Sequence, residues 1–121
     1  MILVDTSVWV DHIRKGDRML ATLLDEDKVC THPFVIEELA CGNLPNRSEF
    51  LDMLTALPAS VVAEHDEIIH ILDDGEMFGK GLGAVDVHLI ASARLSFALL
   101  WSRDKALTRE ANRLGVGAFQ S

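Results

Sequence analysis

Met1-Ile2-Leu3-Val4-Asp5-Thr6-Ser7 is the stretch on which the reading of this chain turns. Ile2, Leu3 and Val4 form an apolar run too short for a helix and suited to a strand buried on both faces. Asp5 stands where that strand ends, and Thr6 and Ser7 can each cap a helix that follows. In an open parallel sheet the ligand crevice lies outside the carboxyl ends of the strands. A carboxylate at the end of a central strand therefore sits where chemistry is done, and the question is which other carboxylates reach it.

Working outward, Ser7 to Ile13 reads as a short helix with Trp9, Val10 and Ile13 inward. Asp17 is placed to cap a second helix whose apolar face is Met19, Leu20, Leu23 and Leu24. Lys28 to Thr31 is a short strand. Pro33 suits the first turn of a helix that carries Glu37 and Glu38 and stops at Gly42. Asn46 and Glu49 have the spacing of a capping box for a helix reaching Leu57. Ser60 to Ala63 is β-prone, and Asp66 to Asp73 reads as a helix with Ile68, Ile69 and Leu72 inward. Gly75, Gly79, Gly81 and Gly83 form a flexible connection, without the Gly-Lys-Ser/Thr ending of a phosphate-cradling loop. Ala84 to Leu95 is the most apolar helix, Phe97 to Trp101 a strand apolar on both faces, and Asp104 a cap for a helix through Leu114. Val116 to Phe119 adds an edge strand. Strands alternate with helices, so the class is α/β with a mainly parallel sheet, in a single domain over residues 1–121.

The 121 residues hold 11 Lys and Arg against 19 Asp and Glu, a formal net charge of -8 with an isoelectric point near 4.9. That is the opposite of the basic footprint of a protein that coats nucleic acid. Chemistry on phosphate would need divalent cations, and a basic protein would make a suitable partner. Hydrophobic residues make up 49% of the chain and the mean hydropathy is +0.20, values of a globular protein with apolar surface to spare for an oligomer interface. No apolar run approaches a membrane span and no charged leader opens the chain, so the expectation is a cytoplasmic protein with no membrane partner. Cys30 and Cys41 lack metal-type spacing and read as small buried hydrophobes.

Asp5 and Asp104 each follow an apolar strand and should emerge at one edge of the sheet. Asp86, in the first turn of its helix, has Leu89 and Ile90 at i+3 and i+4, so it points with the apolar stripe unless it merely caps the helix. Periodicity does not choose between Glu37 and Glu38. Carboxylates gathered in one crevice repel unless a hard cation binds them, and oxygen-only ligation suits Mg²⁺ or Mn²⁺ better than Zn²⁺. His12, His32, His65, His70 and His88 are scattered and read as ordinary partly buried histidines, with His12 or His32 the candidates to lie near such a site. A crevice of this kind hydrolyses phosphodiesters.

Four motifs occur in a fixed order along the full chain: Val4-Asp5-Thr6-Ser7-Val8-Trp9; His32-Pro33-Phe34-Val35 leading to Glu38-Leu39-Ala40-Cys41-Gly42; Gly83-Ala84-Val85-Asp86-Val87-His88-Leu89-Ile90-Ala91; and Leu100-Trp101-Ser102-Arg103-Asp104-Lys105. In these the chain resembles PIN-domain ribonucleases, specifically the VapC-type toxins of toxin–antitoxin pairs. The resemblance implies a PIN-like three-layer α/β/α fold and a metal site of Asp5, Glu38, Asp86 and Asp104, the E-L-x-x-G frame selecting Glu38 over Glu37. It further implies that Thr6, Ser7 and Ser102 support those acids, that the substrate is RNA, and that the protein is a homodimer with a VapB-type antitoxin. Arg14, Lys15, Lys80, Arg103 and Lys105 are the candidates to hold the RNA backbone.

Two other classes stand beside this one. A phospho-receiver would use Asp5 as phosphoryl acceptor, but receivers carry an acid pair after the first strand, and Ser7 likewise replaces the second acid of a dehalogenase-type phosphatase. A noncatalytic binding module would keep the fold and capture a partner without turnover.

Overall fold

The structure is a computed structural model that describes residues 1–119. Three strands, β1 (Ile2–Val4), β2 (Val29–Cys30) and β3 (Leu99–Trp101), form a parallel sheet in the order β2-β1-β3. Seven helices flank it among the described residues: α1 (Thr6–Lys15), α2 (Arg18–Asp25), α3 (Pro33–Ala40), α4 (Arg47–Ala56), α5 (His65–Asp74), α6 (Ala84–Leu95) and α7 (Lys105–Arg113). The opening strand is central, and Leu3 and Val4 are fully buried in it. Each such side chain contributes about 2 kcal/mol by leaving water, which is why three residues suffice to anchor the sheet. Val4 pairs with Trp101, so β1 and β3 end side by side.

Helix starts follow the expected polar residues with one shift. Asp5, not Thr6 or Ser7, caps α1, its carboxylate accepting the Ser7 amide. Asp17 caps α2 through the Leu20 amide and Asp104 caps α7 through the Leu107 amide, both at 2.9 Å. Asn46 precedes α4 but makes no side-chain cap, because its φ of 49° puts it in the left-handed region rather than the extended conformation that capping requires. The capping box lies instead at α5, where Glu67 accepts the Glu64 amide at 2.9 Å.

Phe97 is 95% exposed with φ 53°, so it is no part of a buried strand. The Ala98 amide reaches back to Ala93 carbonyl at 2.8 Å, which makes Phe97 the left-handed residue of a helix-ending Schellman turn. Asp27 and Glu76 occupy the same position after α2 and α5, with Lys28 and Met77 amides bonded to Leu23 and Leu72 carbonyls. Only the fourth such turn, at Gly115, has the glycine that marks it in sequence.

The β-prone run Ser60 to Ala63 forms no strand. Pairing is confined to the bridge between Thr31 and Ala59, because Pro58 lacks an amide and the Val61 amide is taken by the Ser96 hydroxyl at 2.8 Å. Val116 to Phe119 likewise contributes one parallel bridge, Gly117 to Leu100, rather than a strand. Val10, Met19 and Ile69 turn outward, whereas Val8 and Ile71 are buried and Leu20 is buried as expected. Cys30 is buried as expected, whereas Cys41 is exposed past the end of α3. No helix among the described residues is long and apolar enough to cross a membrane.

Candidate functional site

Asp5 lies at the carboxyl end of β1, only 7% exposed, and its amide donates to Trp101 carbonyl at 2.9 Å. Its Oδ2 accepts the Ser7 hydroxyl at 2.7 Å and the Ser102 hydroxyl at 2.8 Å. The Ser7 oxygen in turn accepts the Arg103 amide, and the Ser102 oxygen accepts the Asp104 amide, each at 3.0 Å. Parallel pairing of β1 with β3 thus gathers residues 5, 7, 102 and 104, two sequence-remote pairs, into one hydrogen-bonded unit. Thr6 does not join it: its hydroxyl donates to Glu38 at 2.8 Å and so ties α1 to α3.

Glu38 is exposed on α3, whose last turn is secured by Arg47 donating to Ala40 and Gly42 carbonyls at 2.6 and 3.1 Å. Asp86 is half-buried in the first turn of α6 and accepts the Gly83 amide at 3.1 Å, so the capping reading of this residue holds. Its carboxyl is nevertheless pushed up, first by burial and then, against the Gly83 bond, by the charges of Asp5, Asp104 and Glu38. All four acids therefore share one electrostatic neighbourhood. Among the described residues no three His, Cys, Asp or Glu side chains stand close enough to hold a metal ion as they are. Glu38 is turned to Thr6 and Asp104 to the start of its own helix.

The family model for the PIN domain matches residues 2–112. The chain belongs to the PIN domain family. It is 45% identical over 117 residues to Ribonuclease VapC32 of Mycobacterium tuberculosis, in strains H37Rv and CDC 1551 / Oshkosh, with 96% of this chain and 94% of that protein covered. Its fold is similar to that of FitAcB from Neisseria gonorrhoeae, with a TM-score of 0.68 at 20% identity over 99% of this chain and 97% of that one. FitAB bound to a DNA fragment gives a TM-score of 0.66 at 18% identity, with 98% and 94% covered. The expected PIN-like α/β architecture and VapC-type membership are thereby established.

In this PIN domain the donor set fits a hard divalent cation. It offers only carboxylate oxygens, and Asp86 carries an electrostatic excess that a cation would offset. The basic residues divide. Arg14 and Lys15 are exposed at the end of α1, Lys80 in the glycine-rich loop and Lys105 at the start of α7. Arg103 differs, because its guanidinium is engaged by Asp11 and Asp17, a pairing across 92 and 86 residues that no sequence spacing announces.

The two histidines expected nearest the site both accept backbone amides. His12 Nδ1 accepts the Asp17 amide at 2.9 Å and shapes the α1–α2 corner. His32 is fully buried, caps α3 by accepting the Phe34 amide on Nδ1 at 3.0 Å, and lies with its ring 6.3 Å from that of His88. The neutral ring accordingly carries its proton on Nε2, which meets no acceptor among the described residues. Burial, then the charge of His88, lowers its pKa from 6.5 to about 4. A His whose folded pKa is depressed stabilises the fold fully above 6.5 and loses that contribution as pH falls toward 4. Unfolding free energy should therefore drop by roughly 2 to 3 kcal/mol more between about pH 7.5 and pH 4.5 in the wild type than in His32→Asn, which keeps a capping group but does not titrate. Parallel pH profiles for the two proteins would show that His32 is not responsible.

Proposed function

We propose that this chain is a divalent-metal-dependent endoribonuclease, the toxin of a VapBC-type pair, that hydrolyses RNA phosphodiester bonds. The observation that carries this reading is the clasp on Asp5 by Ser7 and Ser102, which fixes at a strand end one of the three acids whose charges reach Asp86. The 45% identity to a ribonuclease supports the choice of RNA as substrate.

Asp5, Glu38, Asp86 and Asp104 would hold Mg²⁺ or Mn²⁺, which when bound acidifies a water and offsets charge on the phosphate under attack. The chain's own part is orientation. Two hydroxyl donors on Oδ2 of Asp5 fix the plane of that carboxylate and leave Oδ1, which no donor among the described residues meets, for another ligand. The exposed Arg14, Lys15, Lys80 and Lys105 supply charge for an RNA backbone that the net charge of -8 would otherwise repel. The same excess suits a basic antitoxin tail, and the apolar surface suits a homodimer.

Cleavage of an RNA transcript should require Mg²⁺ or Mn²⁺, vanish in excess EDTA and return when the cation is restored in excess of chelator. Undiminished cleavage in EDTA would remove the metal from the proposal. Complete inactivity on RNA, together with tight binding of a basic partner, would favour the noncatalytic binding module.

A further inference from the structure

Arg103 occupies a position with two reaches. Its side chain donates from Nη1 to Asp11 at 2.5 Å and from Nη2 to Asp17, while the guanidinium lies 5.6 Å from the centre of the Trp101 ring. Its main chain donates to the Ser7 oxygen at 3.0 Å, one bond from Asp5. Both side-chain partners are themselves held. Asp11 sits in α1, and Asp17 caps α2 while its amide is bonded to His12. Asp11 lies below the ordinary carboxylate range chiefly because of the Arg103 hydrogen bond, and Asp17 because of the Leu20 amide first and Arg103 after it. A planar fork committed to two carboxylates and lying over an indole has little left with which to grip phosphate.

We infer that Arg103 is a positioning residue and not an RNA contact: by clamping Asp11 and Asp17 it holds the turn from Trp101 to Asp104 against α1, so that Ser7 and Ser102 keep Asp5 and Asp104 in register. The inference rests on the nuclease reading for its kinetic consequence and on geometry alone for the clamp. It separates Arg103 from the exposed basic residues with which its charge would group it. The clamp also explains how a turn with no regular backbone ladder beyond Trp101 keeps its place.

The test compares wild type, Arg103→Gln, Arg103→Lys and the double variant Asp11→Ala/Asp17→Asn, well below the melting temperature of each. Asparagine at 17 spends its one oxygen on the α2 cap and alanine at 11 offers no acceptor, so the double variant breaks the clamp while retaining the arginine's charge. Arg103→Gln and the double variant should each lower kcat by roughly 10- to 100-fold with KM within about twofold, and lysine, a point charge unable to span both acids, should not restore it. Exchange of the Arg103 and Asp104 amides with deuterium should quicken by about tenfold or more in the same two variants. A rise in KM with kcat unchanged, rescued by lysine and absent from the double variant, would make Arg103 an RNA contact and overturn the inference. So would unchanged kcat in Arg103→Gln. If the wild type itself cleaves no RNA, the nuclease reading fails separately, and unaltered amide exchange in Arg103→Gln would still overturn the clamp.

Discussion

Asp5→Asn should lose RNA cleavage by about three orders of magnitude while remaining folded, because the substitution removes a charge and almost nothing else. Asparagine is as good a helix cap as aspartate, so α1 keeps its start. Its side-chain oxygen can still accept from Ser7 and Ser102, whose hydroxyls hold the native carboxylate at 2.7 and 2.8 Å. What goes is the negative charge that a divalent cation needs, in a place 7% exposed where water compensates poorly. Cleavage rate in Mg²⁺, cation affinity by calorimetry and circular dichroism measure the three consequences independently. The expected pattern is a collapsed rate, weakened cation binding and an unchanged spectrum. Cleavage within about tenfold of wild type would remove Asp5 from the reaction.

The largest effect on stability is expected at Trp9. The indole is fully buried on α1, edge-on to Phe50 with ring centres 5.9 Å apart and to His12 at 6.2 Å. Trp9→Ala would remove this contact between α1 and α4 and leave a cavity, at a cost of about 3 to 5 kcal/mol and on the order of 15 °C in melting temperature. Trp9→Phe should behave very differently. The indole Nε1 meets no acceptor among the described residues, so phenylalanine discards an unsatisfied donor while keeping a ring against Phe50, and the loss should stay near 1 kcal/mol. Denaturant titration of the two variants checks this. Equal losses would mean that the nitrogen, rather than the ring's packing, carries the stability.

The parts of the fold legible in sequence were those set by strong local chemistry. Apolar runs ending in Asp5 and near Asp104, proline opening α3, and Asp17 and Asp104 as caps all came out as expected, because strand burial and capping depend on neighbours within a few residues. The misreadings share a cause. Phe97, read as the start of a strand, adopts a left-handed turn that tertiary packing imposes on a residue with no preference for it, as it does at Asp27 and Glu76, so only Gly115 signalled such a turn. The run Ser60 to Ala63 has strand-forming composition, but its register partner ends at Thr31 and its next amide is diverted to Ser96. The pairing of Arg103 was equally hidden from the sequence, since its two acids lie on α1 and at the start of α2.

By sequence alone this chain determined its class and which acids are the candidates, since the alternation of strands and helices, and the motifs around Asp5, Glu38, Asp86 and Asp104, need no distant partner to be recognised. Tertiary structure alone decided which hydroxyl serves which acid: Ser7 and Ser102 to Asp5, and Thr6 across to Glu38. It also decided that Arg103 turns inward to Asp11 and Asp17. The reason is geometric. A hydrogen bond depends on separations of about 3 Å between atoms, and that distance is set by the pairing of β1 with β3 and by the packing of α1 on α3, which no local run of residues encodes.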